Sequence, residues 1–139
     1  MVNSVDLTSK TLYWIKPVNG WVSSVFGERV SPITGRDEFH NGTDIVCETG
    51  TPAKAVADGR VRERGTSPSW GRYLWYDVEG GYSVFYAHLS SVLVNEGDIV
   101  KQGQVIAETG NTGKSTGAHL HLTIYEGEFE KDPLLYFRY

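Results

Sequence analysis

The chain has four histidines, His40, His88, His119 and His121, each in a context suited to imidazole chemistry. His119 and His121 lie in His119-Leu120-His121-Leu122-Thr123-Ile124-Tyr125. Its strict alternation marks a strand with Leu120, Leu122 and Ile124 on one face. Residues i and i+2 of a strand share a side, about 6.6–6.8 Å apart. The two imidazoles can therefore share one ion, or one can bind it while the other serves the reacting group. His40 and Asp44 are spaced by four in Phe39-His40-Asn41-Gly42-Thr43-Asp44. A helix would align them, but Asn41-Gly42 argues against a helix and for a turn that folds Asp44 back beside His40.

Two histidines and a carboxylate match the donor set of an open zinc site, with three protein ligands and a fourth position left to water. Such an ion lowers the pKa of its water towards roughly 7 and so supplies hydroxide at neutral pH. The single cysteine, Cys47, excludes an internal disulfide framework and zinc sites built on several thiolates. It reads as a small buried apolar residue. Structural zinc sites want four ligands, so an open, catalytic site is favoured. His88 falls mid-strand in Tyr86-Ala87-His88-Leu89, expected on the side of Val84 and Tyr86, opposite Phe85, Ala87 and Leu89. A spare imidazole beside a metal can take a proton from water, give one to a leaving amine, or donate to an oxyanion.

Other chemistries fit less well. In the glycine-rich run Gly110–Gly117, Glu108 stands where a Walker loop needs its first glycine, and a strand follows instead of a helix. The run reads as a tight turn that delivers His119. The facial triad of iron oxygenases also joins two histidines and a carboxylate. It usually sets the carboxylate two residues from the first histidine and has no use for two spare imidazoles. A biotinyl or lipoyl carrier is suggested only by Gly97-Asp98-Ile99-Val100-Lys101-Gln102-Gly103, with no exposed lysine tip in sight.

The elements that must position these groups are strands. Ser83–Leu89, His119–Tyr125, Arg72–Val78, Gly59–Arg64 and Val105–Glu108 read as strands, and Trp21–Phe26 as another. Turn signals recur about every ten residues and no helix is convincing, so an all-β, antiparallel sandwich or barrel-like single domain is expected. A length of 139 residues suits one domain. Residues 1–18 read as a leader strand or linker and 19–139 as the domain. A formal charge of −4 gives no basic footprint for nucleic acid. No apolar run approaches the roughly 20 residues of a membrane helix. The segment Met1–Val18 lacks the basic and apolar regions of a signal peptide.

These residues together resemble the lysostaphin-type (LytM-like) zinc endopeptidases. Phe39–Ile45 is similar to their HxxxD element, Tyr86-Ala87-His88-Leu89 to their YAHL element, and Thr112–His121 to their TGxSTGxHLH element. Framing pieces match as well, among them Phe26-Gly27-Glu28-Arg29-Val30, Gly50-Thr51-Pro52 and Gly97–Gln104. The resemblance runs from about Trp21 to Pro133. It implies a groove over a site holding one Zn²⁺ per chain, with His40, Asp44 and His121 as ligands and His88 and His119 as the catalytic pair. The implied activity is hydrolysis of amide bonds in the stem peptides or cross-bridges of bacterial peptidoglycan. The implied setting is extracellular, at the cell wall, in a secreted multidomain or phage-tail parent. Trp70, Arg72 and Tyr86 are expected along the groove; Arg72 stands where many relatives have asparagine.

Overall fold

A computed structural model describes residues 13–139, whose regular elements are antiparallel strands apart from one short 3-10 turn, Pro133–Leu135. The principal sheet has the spatial order β1 (Trp21–Ser24), β4 (Thr43–Val46), β12 (His119–Glu126), β8 (Tyr82–Leu89), β7 (Gly71–Val78), β6 (Gly59–Ser67) and β10 (Ile99–Val100). β13 (Phe129–Lys131) is added to β12. A smaller sheet has the order β5 (Pro52–Lys54), β11 (Val105–Glu108), β9 (Ser91–Val92), and β2 (Gly27–Val30) pairs with β3 (Asp37–His40). The sheets are open, and none closes into a barrel. Among the described residues no helix is long and apolar enough to cross a membrane.

Period-two patterning decides which face of the principal sheet becomes core. Ile45 lies opposite Leu120, Leu122 opposite Tyr86, and Ile124 opposite Val84. Tyr86 and Val84 in turn face Leu74 and Tyr76 on β7. All eight side chains are fully buried, with Ala53, Val56 and Ile106 completing the cluster. Each such aliphatic contributes roughly 1.5–3 kcal/mol by leaving water. The two buried tyrosines keep their hydroxyls bonded. Tyr86 donates to the Lys54 carbonyl at 2.6 Å, the Tyr76 and Tyr86 hydroxyls lie 2.7 Å apart, and Tyr76 accepts from the Val56 N–H at 3.0 Å. Tyr86 is therefore a core residue and not the groove residue expected from sequence; strand alternation turns it away from the site.

The elements differ from expectation at their margins. The stretch Trp21–Phe26 is not one strand, because pairing with β4 stops at Ser24 and β2 begins at Gly27. Residues 13–18, expected in a leader or linker, pack on the domain. Ile15 donates its N–H to the Val56 carbonyl at 3.1 Å, Trp14 stacks on Tyr136 at 5.1 Å, and Val18 is buried. The rest of that leader, residues 1–12, lies outside the described residues.

Candidate metal centre

The face of the principal sheet opposite the core carries the chemistry. Asp44 on β4 lies directly across from His121 on β12, and His119 across from Val46. Cross-strand neighbours on one face sit about 4.5–5.5 Å apart at Cβ, so the ladder itself brings Asp44 to His121. His40 arrives from the other direction, as the last residue of β3. The Asn41-Gly42 corner then carries the chain into β4. A Cβ on Gly42 would lie 2.2 Å from the Leu122 carbonyl oxygen, so only glycine lets this corner press against β12. The His121 Nδ1 is 3.0 Å from Asp44 Oδ1, and His40 Nε2 is 3.3 Å from both groups. One ligand atom from each residue lies within 4.8 Å of the others. His119 Nε2 stands 3.6 Å from the same Asp44 oxygen.

His88 reaches the site through an irregularity that alternation does not foresee. Two steps along β7, from Arg72 to Leu74, oppose three along β8, from Leu89 to Tyr86. The additional residue makes a β-bulge, and His88 takes φ +61°, the one positive φ outside glycine among the described residues. The bulge returns Leu89 to the core with Val84 and Tyr86, and leaves His88 off the core, beside Trp70 and His119. The sequence-based expectation of His88 on the side of Tyr86 is thereby corrected. The His88 N–H donates to the Trp70 carbonyl at 2.8 Å and holds the bulge. The His88 and His119 ring centroids are 5.0 Å apart.

Loop carbonyls set the tautomers. Nδ1–H donates to a carbonyl oxygen in three histidines: His40 to Val25 at 2.9 Å, His88 to Thr112 at 2.7 Å and His119 to Gly117 at 2.7 Å. A carbonyl can only accept, so each of these rings keeps its Nε2 lone pair free. His121 is turned about: its Nε2 meets the Thr123 hydroxyl at 2.8 Å, and Nδ1 faces Asp44. Nitrogen lone pairs and a carboxylate oxygen thus converge in a buried place where only a proton or a cation between them is stabilising. This donor set fits a divalent ion with nitrogen and oxygen ligands. Burial lowers the His121 pKa to about 4, against a raising effect of Asp44, so its ring is neutral at pH 7. Burial also lowers His88. For Asp44 burial acts to raise the pKa, yet the adjoining His121 and His40 rings outweigh it and hold the carboxyl far below its ordinary range.

A cleft of about 470 Å³ opens over this cluster, lined by His40, Asp44, His88, His119 and His121, with Trp70 as a wall. The Trp70 ring lies 4.8 Å from the His121 ring and 5.3 Å from Phe85. A second limb of about 870 Å³, with exposed Trp21 and half-buried Cys47, shares Asp44 and His119 with the first. Cys47, read from sequence as a small buried apolar residue, is half-buried against the core and borders the cleft. Arg72 is exposed and stands apart from the cleft; its backbone N–H donates to the Thr112 hydroxyl at 3.1 Å. The run Gly110–Gly117 does deliver His119, closed by a bridge between Gly110 and His119. Sequence reasoning passed over the groups that orient the rings. Thr123 had a legible signal, since it follows His121 by two on the same strand face. The carbonyls of Val25, Thr112 and Gly117 had none.

A family model described as Peptidase family M23 matches residues 38–133. The chain is 40% identical over 113 residues to a Vibrio cholerae protein named peptidoglycan DD-endopeptidase ShyC, covering 81% of this chain and 26% of that one. Among solved structures, a zinc-containing peptidase from V. cholerae superposes with a TM-score of 0.78 at 36% identity, covering 84% of this chain and 37% of the other. The catalytic domain of the antimicrobial peptidase lysostaphin from Staphylococcus simulans gives 0.74 at 32% identity, covering 83% and 90%. The chain spans about a quarter of the length of the curated relatives that it matches.

Proposed function

This chain belongs to peptidase family M23, and we propose that it is a zinc endopeptidase, one ion per chain, that cleaves amide bonds in the stem peptides or cross-bridges of bacterial peptidoglycan. The observation that carries the proposal is the convergence of His40, Asp44 and His121 on one point, with the free nitrogens of His88 and His119 turned to the same cleft. The names of the relatives support the substrate, and the DD-endopeptidase among them favours a cross-link formed through a D-amino acid. The place of action is the cell wall, reached in a secreted or phage-tail parent.

Zinc bound by His40, Asp44 and His121 would supply Lewis acidity and a nucleophilic water at neutral pH. The chain's own residues do the rest. His88 and His119 present Nε2 as a proton acceptor, since Thr112 and Gly117 hold the Nδ1 protons. Either ring can take the proton of the attacking water and pass it to the leaving amine. While it holds that proton, the ring donates a hydrogen bond to the oxygen that gains charge. Burial keeps His88 neutral at pH 7 and ready to accept. Trp70 shields the His121 side of the cleft from bulk water.

Mass spectrometry of muropeptides released from defined walls tests this reading. The zinc-loaded protein is expected to generate one new amine and carboxyl pair per cut, and chelator to stop it. A new D-alanyl terminus marks the D-amino-acid cross-link, and a glycyl terminus marks a bridge instead. Intact walls of every type after incubation with the zinc-loaded protein would refute the activity.

A further inference from the structure

Arg29, in the framing segment Phe26–Val30, has no part in the site as described so far. It lies on β2 opposite Glu38 on β3. Its Nε donates to Glu38 Oε2 at 2.8 Å, and its Nη1 to the Ser24 hydroxyl at 2.5 Å and to Asp44 Oδ2 at 3.5 Å. The two oxygens of Asp44 are thereby divided. Oδ1 faces His40, His119 and His121, while Oδ2 faces the guanidinium. Ser24 also stands 3.5 Å from His40 Nδ1, so the group that binds Asp44 touches the surroundings of a second ligand.

We propose that Arg29 is a positioning residue: it keeps Asp44 Oδ2 turned away from the metal, so that the carboxylate offers one oxygen and a coordination position stays open. The inference rests on the zinc reading above. A carboxylate can bind a cation through one oxygen or both, and a second bound oxygen would fill the corner that the reaction needs. A guanidinium competes for that oxygen with a directed N–H, where an ammonium is only a point charge. A cation this close to a divalent ion is repelled, and Glu38, 2.8 Å from Nε, offsets that repulsion. The arrangement is thus an anion, a cation and an anion in series, ending on the ligand.

The test compares the wild-type protein with R29Q and R29K, each loaded with zinc for turnover and with cobalt(II) for visible spectroscopy. Cobalt absorption weakens as coordination rises above four, so it reads the open corner directly. R29Q is expected to retain bound metal, to lose cobalt intensity, and to slow hydrolysis about 10–100-fold. R29K is expected to fall between R29Q and wild type in both readouts. It decides the matter alone if R29Q does not fold. A merely structural role would lower the unfolding temperature and leave the cobalt spectrum of the folded fraction as in wild type; that result overturns the proposal. A wild-type protein that binds neither metal overturns the zinc reading itself, an outcome distinct from variants that match a metal-loaded wild type.

Discussion

Three of the four histidines are each given one free nitrogen by a different carbonyl, and the roles follow from where the ring nitrogens point. His40 and His121 face Asp44 in a buried place; His88 and His119 face the cleft. We therefore expect His121→Ala to lose its zinc, as measured by elemental analysis after gel filtration. His119→Ala and His88→Ala are expected to retain zinc while turnover falls by about 10²-fold or more, the usual worth of a positioned acid or base. A His119→Ala protein that keeps wild-type turnover with full metal would put the proton chemistry elsewhere. At this scale residue type was legible in the sequence: the spacing of His119 and His121 and the proximity of His40 to Asp44 needed only strand and turn geometry. Which nitrogen each ring presents was not legible, because carbonyls at Val25, Thr112 and Gly117 decide it, and any residue type supplies a carbonyl.

The strands that carry Leu120, Leu122 and Ile124, and those that carry Val84 and Tyr86, follow their alternation faithfully as far as Tyr86. Alternation fails at His88 because a bulge adds one residue to one strand and leaves no necessary mark in composition. The usual glycine is missing there: His88 itself sits at φ +61°. Short strands such as β5 and β13, of three residues each, are also hard to see, since they hold too few positions to display a period. The bulge has an energetic consequence. A left-handed conformation costs a non-glycine residue roughly 1–2 kcal/mol. His88→Gly is therefore expected to be more stable than His88→Ala by about 1 kcal/mol in denaturant unfolding, the reverse of the order seen at ordinary strand positions. A second element holds the bulged histidine in aim. Gly113 has φ +76°, and a Cβ there would lie 2.3 Å from the Gly71 nitrogen. Gly113→Ala presses on the Ser69–Gly71 backbone and strains the loop whose Thr112 carbonyl binds His88. It is expected to slow turnover by about tenfold or more with zinc content intact, and equal rates would show that this loop does not aim the ring.

The whole molecule separates its core from its chemistry, one on each face of a single sheet, and this separation governs how it responds to chelator and acid. The buried cluster around Leu120, Tyr86 and Leu74 contains none of the metal-binding side chains. Chelator at pH 7.5 is expected to leave the far-ultraviolet circular dichroism unchanged and to lower the Tm, since bound metal adds stability only by mass action. Acid acts on the metal-free protein through His121, whose pKa of about 4 in the fold lies below the unfolded value of 6.5, and through His88, lowered in the same direction by burial. Above about pH 6.5 neither state takes up these protons and stability is at its full value. Between about 6.5 and 4 the unfolded chain takes them up and the folded chain resists, so stability falls with pH throughout that window. Asp44, held below its ordinary value, extends the loss to lower pH by the same linkage. Scanning calorimetry of the metal-free protein should show its Tm dropping by about 5 °C or more from pH 7 to 4.5. The zinc-loaded protein, its ligand nitrogens shielded from protons, should hold its Tm until acid releases the ion. A flat metal-free profile across this range would mean that the folded and unfolded chains take up these protons alike, and that burial does not hold His121 and His88 neutral.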